Sequence, residues 1–172
     1  VRKVQVLHRG SSFCSMKCNL EYKRIHGSIT GLKDKAWNMF SKYIRLRDAI
    51  RTTGDIEYVK CITCGKTRLV KEVDAGHFFS RTDSEIMFDE HNVHAQCKQC
   101  NMPPRSGEQY LYSKKIVELY GQEELSRLDG LHWKTKKFLR MDYLKIVEDY
   151  SEKIKSLLGV RTNPWNYSGG NT

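Results

Sequence analysis

Two Cys-x-x-Cys motifs constrain the fold of this chain more than any other feature. The first is Cys61-Ile-Thr-Cys64 and the second is Cys97-Lys-Gln-Cys100. Each motif lets two thiolates point at one ion, and two motifs complete the tetrahedral ligand set of a structural zinc site. Because a closed site of four cysteines leaves no position for water, zinc would support folding and not catalysis. The alternative is that the pairs are redox-active or unrelated. Gly65 would help the first motif to turn tightly.

The charge of the chain predicts a polyanionic partner. Its 172 residues include 30 Lys and Arg against 20 Asp and Glu, a formal net charge of +10. Such a surface attracts nucleic acid through the release of condensed counterions. The sequence has no apolar run that could span a bilayer and no signal-peptide pattern, so a cytoplasmic protein without a membrane partner is expected. In that reducing compartment, closely spaced pairs of cysteines are more often metal ligands than disulfides.

The residue patterns predict an α+β protein, mainly α, with five consecutive segments. These are a basic arm or partial zinc knuckle over residues 1–31, a basic amphipathic helix over 32–57, a zinc-bound core over 58–108, a helical region over 109–158 and a loose tail over 159–172. Gly54 is expected to end the first helix. Strands are predicted over 70–79 and 86–88, and later helices over 109–120, 122–128 and 134–158.

Candidate catalytic residues stand beside the cysteine motifs. Asp74 and His77 belong to the run Asp74-Ala-Gly-His77, Asn92 precedes the second motif, and Asn101 directly follows Cys100. A histidine ring nitrogen can take a proton from water at neutral pH. Asn101 and Asp74 offer oxygen ligands suited to Mg²⁺ or Mn²⁺, which also bind phosphate oxygens. Any of these residues alone more often packs or caps a turn. Their joint placement indicates a nuclease.

Four runs of residues form a distinctive pattern across the centre of the chain. They are Cys61-Ile-Thr-Cys64-Gly, Asp74-Ala-Gly-His77-Phe, Phe88-Asp-Glu-His-Asn92-Val-His94-Ala-Gln96-Cys97 and Cys100-Asn101, with weaker flanking matches in Gly121-Gln-Glu and Phe13-Cys14-Ser-Met-Lys-Cys18. The pattern resembles the NinG (Rap) recombination proteins of lambdoid phages over roughly residues 13–128. This resemblance implies a structure-specific endonuclease that hydrolyses phosphodiester bonds in branched DNA, including Holliday junctions and D-loops, during phage recombination in the host cytoplasm.

The same pattern is similar to the phage resolvase endonuclease VII, which implies a zinc-stabilised ββα-metal core (HNH, treble-clef-like) with flanking helices. By this resemblance His77 is the general base, Asn101 binds catalytic Mg²⁺ or Mn²⁺, and structural zinc is held by Cys61, Cys64, Cys97 and Cys100. Endonuclease VII has Asp directly before its catalytic His, where this chain has Gly76. Asp74 is therefore the expected acidic ligand, with Glu108 as a substitute. Strand alternation places Asp74 opposite His77 unless the backbone kinks at Gly76.

Four further residues have expected roles around this centre. Asn92 corresponds to the middle letter of the HNH pattern, whose usual task is to hold the hairpin loop by backbone hydrogen bonds and so orient the base. His91 and His94 have two open roles, contact with phosphate or metal and ordinary packing. Arg81 either neutralises the scissile phosphate or is simply solvated.

Cys14 and Cys18 resemble the second half of an N-terminal zinc knuckle. The chain contains no first cysteine pair for it. Two explanations are open: His8 and His26 replace that pair, or the pair lies upstream of Val1.

Three hypotheses follow from the sequence. The first is an endonuclease for branched DNA that acts as a homodimer, whose two equivalent sites cut two strands. A recombinase would be its partner protein. The second is a non-catalytic zinc module that only binds DNA, which would need the cysteines but not His77 or Asn101. The third is an HNH endonuclease that cuts ordinary duplex. No residue pattern in the sequence indicates how the shape of a junction would be recognised. The expectation of branch specificity therefore depends on the family resemblance alone.

Overall fold

A computed structural model describes residues 28–159, together with Met16 and Cys18. In this part the chain is α+β and mainly helical. Its helices are α1 (Ile29–Thr53), α2 (Lys98–Asn101), α3 (Gln109–Tyr120), α4 (Gln122–His132) and α5 (Arg140–Leu157), and its strands are β1 (Tyr58–Lys60), β2 (Thr67–Leu69), β3 (Val73–His77) and β4 (Val93–Cys97). Nearly all of the predicted arm and tail, and all of the predicted N-terminal knuckle except Met16 and Cys18, lie outside the described residues. None of the described helices has the length and apolar content needed to cross a bilayer.

Helix α1 is the longest element and forms one wall of the core. It begins after Ser28, whose hydroxyl accepts a hydrogen bond from the amide of Gly31. It ends at Gly54, which has a φ of 72° and donates its amide to a carbonyl of the last turn, so the predicted stop is confirmed. The Phe40 ring packs edge-on against Tyr150 of α5 at 4.9 Å. The buried residues of α1 are Leu32, Ala36, Phe40, Ile44, Leu46, Asp48 and Ala49.

The strands form two antiparallel pairs, β1 with β2 and β3 with β4. The prediction of a strand over 86–88 is wrong, because Ser84–Ile86 forms a 3₁₀ turn and β4 is the partner of β3. Ile86 is fully buried against Tyr112 and Ile116 of α3. A short apolar run is compatible with either a strand or a buried turn, and tertiary packing decides between them here.

The later helices differ from their predicted bounds at two places. Helix α4 continues to His132, beyond the predicted end at residue 128, and His132 is paired with Asp83 at 2.5 Å. Residues 133–139 are not helical, although a helix was predicted from 134. Helix α5 begins only after Leu139, whose amide donates to the Asp142 carboxylate at 2.7 Å. Helix α2, which contains Cys100, is one turn long and ends before the two prolines at 103 and 104, which lack the amide hydrogen that would continue it.

Candidate metal centre and active site

The four central cysteines come together although they belong to two hairpins. Their sulfur atoms all lie within 4.8 Å of one another, and the Cys64 and Cys97 sulfurs are 3.9 Å apart. Tetrahedral zinc with Zn–S bonds of about 2.3 Å requires sulfurs about 3.8 Å apart. The amide of Cys97 also donates to the Cys61 sulfur at 3.3 Å. The cluster could therefore hold a zinc ion. Gly65 turns the first motif with a φ of 69°, as its sequence position predicts.

The cysteine cluster fixes the position of the candidate catalytic residues. The amide of Ile62, inside the first motif, donates to the Ala95 carbonyl of β4 at 2.9 Å and joins the two strand pairs. The second motif begins at the last residue of β4 and ends in α2. Asn101 follows Cys100 directly, so its distance from β3 depends on this cluster.

Asp74 and Asn101 are in direct contact. The Asn101 side-chain nitrogen donates to Asp74 Oδ2 at 3.0 Å. The β3–β4 register runs unbroken from Val73 to His77, so Asp74 and His77 project from opposite faces, and no bulge occurs at Gly76. Both residues nevertheless line one pocket, together with Asn101.

The pocket has a volume of about 650 Å³. One wall comes from α1 through Trp37, Ser41 and Arg45, none of which was singled out from the sequence. Their spacing of four residues places them on one helix face, and this periodicity was the available signal. Arg81 lies at the rim with its guanidinium 4.3 Å from the centre of the Trp37 ring. The pocket thus combines acidic and amide oxygens with two arginines.

His77 is held in a defined orientation and tautomer. Its Nε2 lies 3.1 Å from the carbonyl oxygen of Met87, and because a carbonyl can only accept, Nε2 carries the hydrogen. Nδ1 is then the basic nitrogen. The Trp37 ring stacks on the imidazole with centres 5.0 Å apart. Burial lowers the pKa of His77 to about 4, and the positive charge of Arg81 acts in the same direction. His77 is therefore neutral at physiological pH.

Asn92 is fully buried beneath the loop that follows His77. Its side-chain oxygen accepts from the Phe79 amide at 2.8 Å, and its nitrogen donates to the carbonyls of Phe79 and Ile86 at 3.2 and 3.1 Å. The adjacent Phe78 amide donates to the Asn92 carbonyl at 2.8 Å. Asn92 thus holds both ends of the loop and does not line the pocket.

Gly76 leaves space that a neighbouring side chain occupies. A Cβ atom at this position would stand 2.3 Å from Oε1 and 2.9 Å from Cβ of Gln96, and 3.1 Å from Oδ1 of Asn101. The Gln96 amide is pinned, since its nitrogen donates to the Thr63 hydroxyl at 2.6 Å and the Gly107 carbonyl at 2.8 Å. An aspartate directly before His77, as in endonuclease VII, cannot be accommodated in this arrangement.

His94 belongs to a buried polar network and does not reach the pocket. It is fully buried, and its Nδ1 lies 2.8 Å from an Arg47 nitrogen. Burial lowers the pKa of His94. Asp48, at 2% exposure, is paired with Arg47 and Arg51 and accepts the Ala95 amide at 2.7 Å. This network was not predicted from the sequence, because an acidic residue in a basic helix gives no sign of its burial.

His91 and Glu108 also lie outside the pocket lining. His91 pairs with Glu124 at 2.7 Å, and with Asp89 these side chains form a cluster that could hold a metal ion. However, Arg127 already bonds both carboxylates of that cluster, at 2.7 and 2.5 Å. Glu108 precedes α3 and pairs with Arg105 at 3.4 Å. The expectation that Glu108 substitutes as the acidic ligand therefore receives no support from its position.

The described residues define a mainly helical α+β protein in which a four-cysteine cluster that could hold zinc adjoins a polar pocket lined by Asp74, His77, Asn101 and two arginines. A family model described as "Bacteriophage Lambda NinG protein" matches residues 27–159, and the chain belongs to this family.

Individual relatives also match part of this chain. The protein named Protein ninG of Escherichia phage 933W is 30% identical over 103 residues, covering 59% of this chain and 50% of that protein. Protein ninG of Escherichia phage lambda is 29% identical over 103 residues, with 59% and 49% covered. Protein ninG of Salmonella phage P22 is 30% identical with the same coverage. The chain thus spans about half the length of these relatives. No solved structure matches it.

Proposed function

We propose that the chain is a metal-dependent HNH-type endonuclease that hydrolyses phosphodiester bonds in branched DNA, such as Holliday junctions and D-loops. The observation that carries the proposal is the Asp74–Asn101 contact in a pocket shared with His77. A histidine base beside an oxygen-rich cation site is the arrangement that hydrolysis of a phosphodiester needs.

His77 would act as the general base. Nε2 is engaged by the Met87 carbonyl, so Nδ1 can take the proton from an attacking water molecule. The water oxygen then bonds to phosphorus as the bond to the leaving 3′ oxygen breaks, and solvent protonates that oxygen. Trp37 and the Asn92-held loop keep the imidazole in place during this step.

Asp74 and Asn101 fit a divalent cation. In the described orientation the Asn101 nitrogen donates to Asp74. Turning the amide over would break this hydrogen bond and present the side-chain oxygen as a second ligand to a cation at the carboxylate. Mg²⁺ or Mn²⁺ bound there would supply positive charge to the phosphate and to the leaving oxygen. The fold proposed around them is a ββα-metal core, in which β3, β4 and α2 supply the three elements and zinc at the cysteines stabilises it.

DNA is the proposed substrate because the pocket carries two arginines and the chain is strongly basic. Arg45 and Arg81 line the pocket, and the net charge is +10. Both features favour a phosphodiester backbone. Branch preference, a homodimer that places two sites on a junction, a recombinase partner and action in the host cytoplasm are proposed from the family.

The proposal is tested by cleavage of a labelled four-way junction and its linear duplex, with Mg²⁺ or EDTA, at one salt concentration. We expect Mg²⁺-dependent cutting that favours the junction and falls at least about a hundredfold in His77→Ala. His91→Ala is the matched control, since His91 lies outside the pocket lining. Binding without cutting would favour the non-catalytic DNA-binding module, and equal cutting of duplex would favour a duplex-specific HNH enzyme.

A further inference from the structure

Residues 133–137 form an exposed basic loop between α4 and α5, here called the tryptophan loop. Its sequence is Trp133-Lys-Thr-Lys-Lys137, and all five residues are exposed. The Trp133 side chain is 84% exposed, the highest exposure among the large hydrophobic residues that the structure describes. A single exposed aromatic ring is ordinary on a protein surface, and this indole contacts the His132 ring with centres 4.1 Å apart. Most of the indole is nevertheless open to solvent, within a run that carries three lysines.

The tryptophan loop is attached to the segment that carries His77. His132, directly before the loop, pairs with Asp83 at 2.5 Å and stacks on the Phe79 ring at 4.3 Å. Within the loop, the Lys136 amide donates to the Ser84 hydroxyl at 2.7 Å. Phe79 and Asp83 flank the two residues at positions 80 and 81 that line the pocket. The indole is thus held on a rigid connection at the side of the active-site pocket.

The charge of the loop favours a polyanion over a protein surface. Lys134, Lys136 and Lys137 make no ion pair with a carboxylate in the described part of the chain. Asp83, in the neighbouring segment, is already paired with His132. Three lysines without a carboxylate partner share a five-residue run with an exposed indole, and the Lys136 ammonium lies over the Phe138 ring at 5.1 Å. This composition matches a strand whose phosphates alternate with flat bases.

We propose that Trp133 stacks on an unpaired or unstacked DNA base at a branch point, while the three lysines hold the adjoining phosphates. This inference rests on the proposed nuclease function and supplies the element that distinguishes branched DNA from duplex. In continuous duplex every base is stacked on its neighbours, so the indole has no free face to meet. At a branch or flap a base face is exposed, and stacking on it adds affinity.

The test measures binding, without cleavage, of fluorescein-labelled junction, flap and duplex DNA by anisotropy in EDTA. Wild type is expected to prefer the branched DNAs, and Trp133→Ala is expected to lose roughly tenfold or more of branched-DNA affinity while keeping its duplex affinity. Trp133→Phe should retain part of the preference. Met141→Ala, which removes another exposed apolar side chain from α5, is the matched control and should bind like wild type. Thermal melting checks that each variant folds.

A second readout separates stacking from charge. Replacing the three lysines by Ala should lower the slope of log affinity against log salt by about 2, whereas Trp133→Ala should leave the slope unchanged. Unchanged branched-DNA binding in Trp133→Ala, or equal losses on duplex and branched DNA, would overturn the inference. A protein that binds branches through Trp133 but cuts nothing would overturn the proposed function and leave this inference standing.

Discussion

The side-chain nitrogen of Asn101 donates a hydrogen bond of 3.0 Å to the carboxylate of Asp74. This bond runs from the helix turn that contains Cys100 to the strand that carries His77. It orients the amide so that its oxygen points away from the carboxylate. The Asp74 carboxylate and the Asn101 amide are thus in contact in one pocket.

Asn101→Ala is expected to weaken cation use without unfolding the chain, since Asn101 is only partly buried. Cleavage should fall, and higher Mn²⁺ should partly restore it, because a lost ligand lowers metal affinity and not the chemistry of the bound ion. The measurement is cleavage rate against Mn²⁺ concentration for wild type and variant. The same half-saturating concentration in both proteins would argue against a ligand role.

The cleavage rate is expected to fall on the acid side only at a pH well below the usual pKa range of histidine. Burial lowers the pKa of His77 to about 4, so Nδ1 stays unprotonated near pH 6, where an ordinary histidine with a pKa of about 6.5 is mostly protonated. Arg81, which lowers this pKa, and Asp83, which raises it, are the nearby charged groups. Single-turnover rates across this range would test the expectation. A limb centred near pH 6.5 would contradict it.

The same pKa shift predicts a stability change with pH. The unfolded chain binds a proton at His77 near pH 6.5 and the folded chain only near pH 4, so the contribution of neutral His77 is fully present above about pH 6.5. It is lost as the pH falls towards 4. Urea unfolding of wild type and His77→Gln at about pH 5 and about pH 8 should show the steeper loss in wild type. Parallel losses would indicate that other groups dominate.

Cys61→Ser is expected to lower the zinc content and unfold the central hairpins. The four sulfurs are the point at which the two strand pairs meet, and metal binding and folding are linked in such sites. Atomic absorption and thermal melting of wild type, Cys61→Ser and Cys97→Ser provide the measurement. Wild-type protein without zinc, or variants that melt normally, would rule out the assignment of the four cysteines as zinc ligands.

Gly76→Ala is expected to destabilise the chain by about 1–3 kcal/mol, the usual cost of overpacking. The added Cβ would stand 2.3 Å from the pinned Gln96 oxygen. In a Gln96→Ala background the same change should cost less, because that oxygen is gone. Gly130→Ala is the control: its Cβ meets nothing within 4 Å, and in a helix it should stabilise by up to about 1 kcal/mol. Urea unfolding is measured for wild type, Gly76→Ala, Gln96→Ala, the double variant and Gly130→Ala. Additive costs at positions 76 and 96 would refute the contact.

Asp48→Ala is expected to destabilise the fold by about 3–5 kcal/mol, because it leaves buried arginine charge without its partner. Asp48 is 2% exposed and pairs with Arg47 and Arg51. Asp34→Ala, on the exposed face of the same helix, should change the free energy of unfolding by less than about 0.5 kcal/mol. Similar effects in the two variants would show that the buried network contributes little.

Features that depend on local chemistry could be predicted from the sequence. The spacing within each cysteine motif lets two sulfurs approach one point, and Gly54 adopts the left-handed backbone that stops α1. The predicted helix over 109–120 matches the bounds of α3. Asp74, His77 and Asn101 were selected for their chemistry, and the fold brings them to one pocket. Their catalytic roles remain predictions.

Other features depend on contacts between residues far apart in the chain. Ile86 is part of a buried turn because α3 covers it. The Lys136 amide, in the non-helical stretch after α4, donates to the distant Ser84 hydroxyl and not to a helix carbonyl. Trp37 belongs to the pocket only because α1 packs beside β3. Side-chain periodicity reports which face of a helix is apolar but not what lies against it. The sequence by itself thus determined the ligand chemistry and the helix limits set by Gly54, while tertiary packing decided which side chains share the pocket and which polar groups are buried.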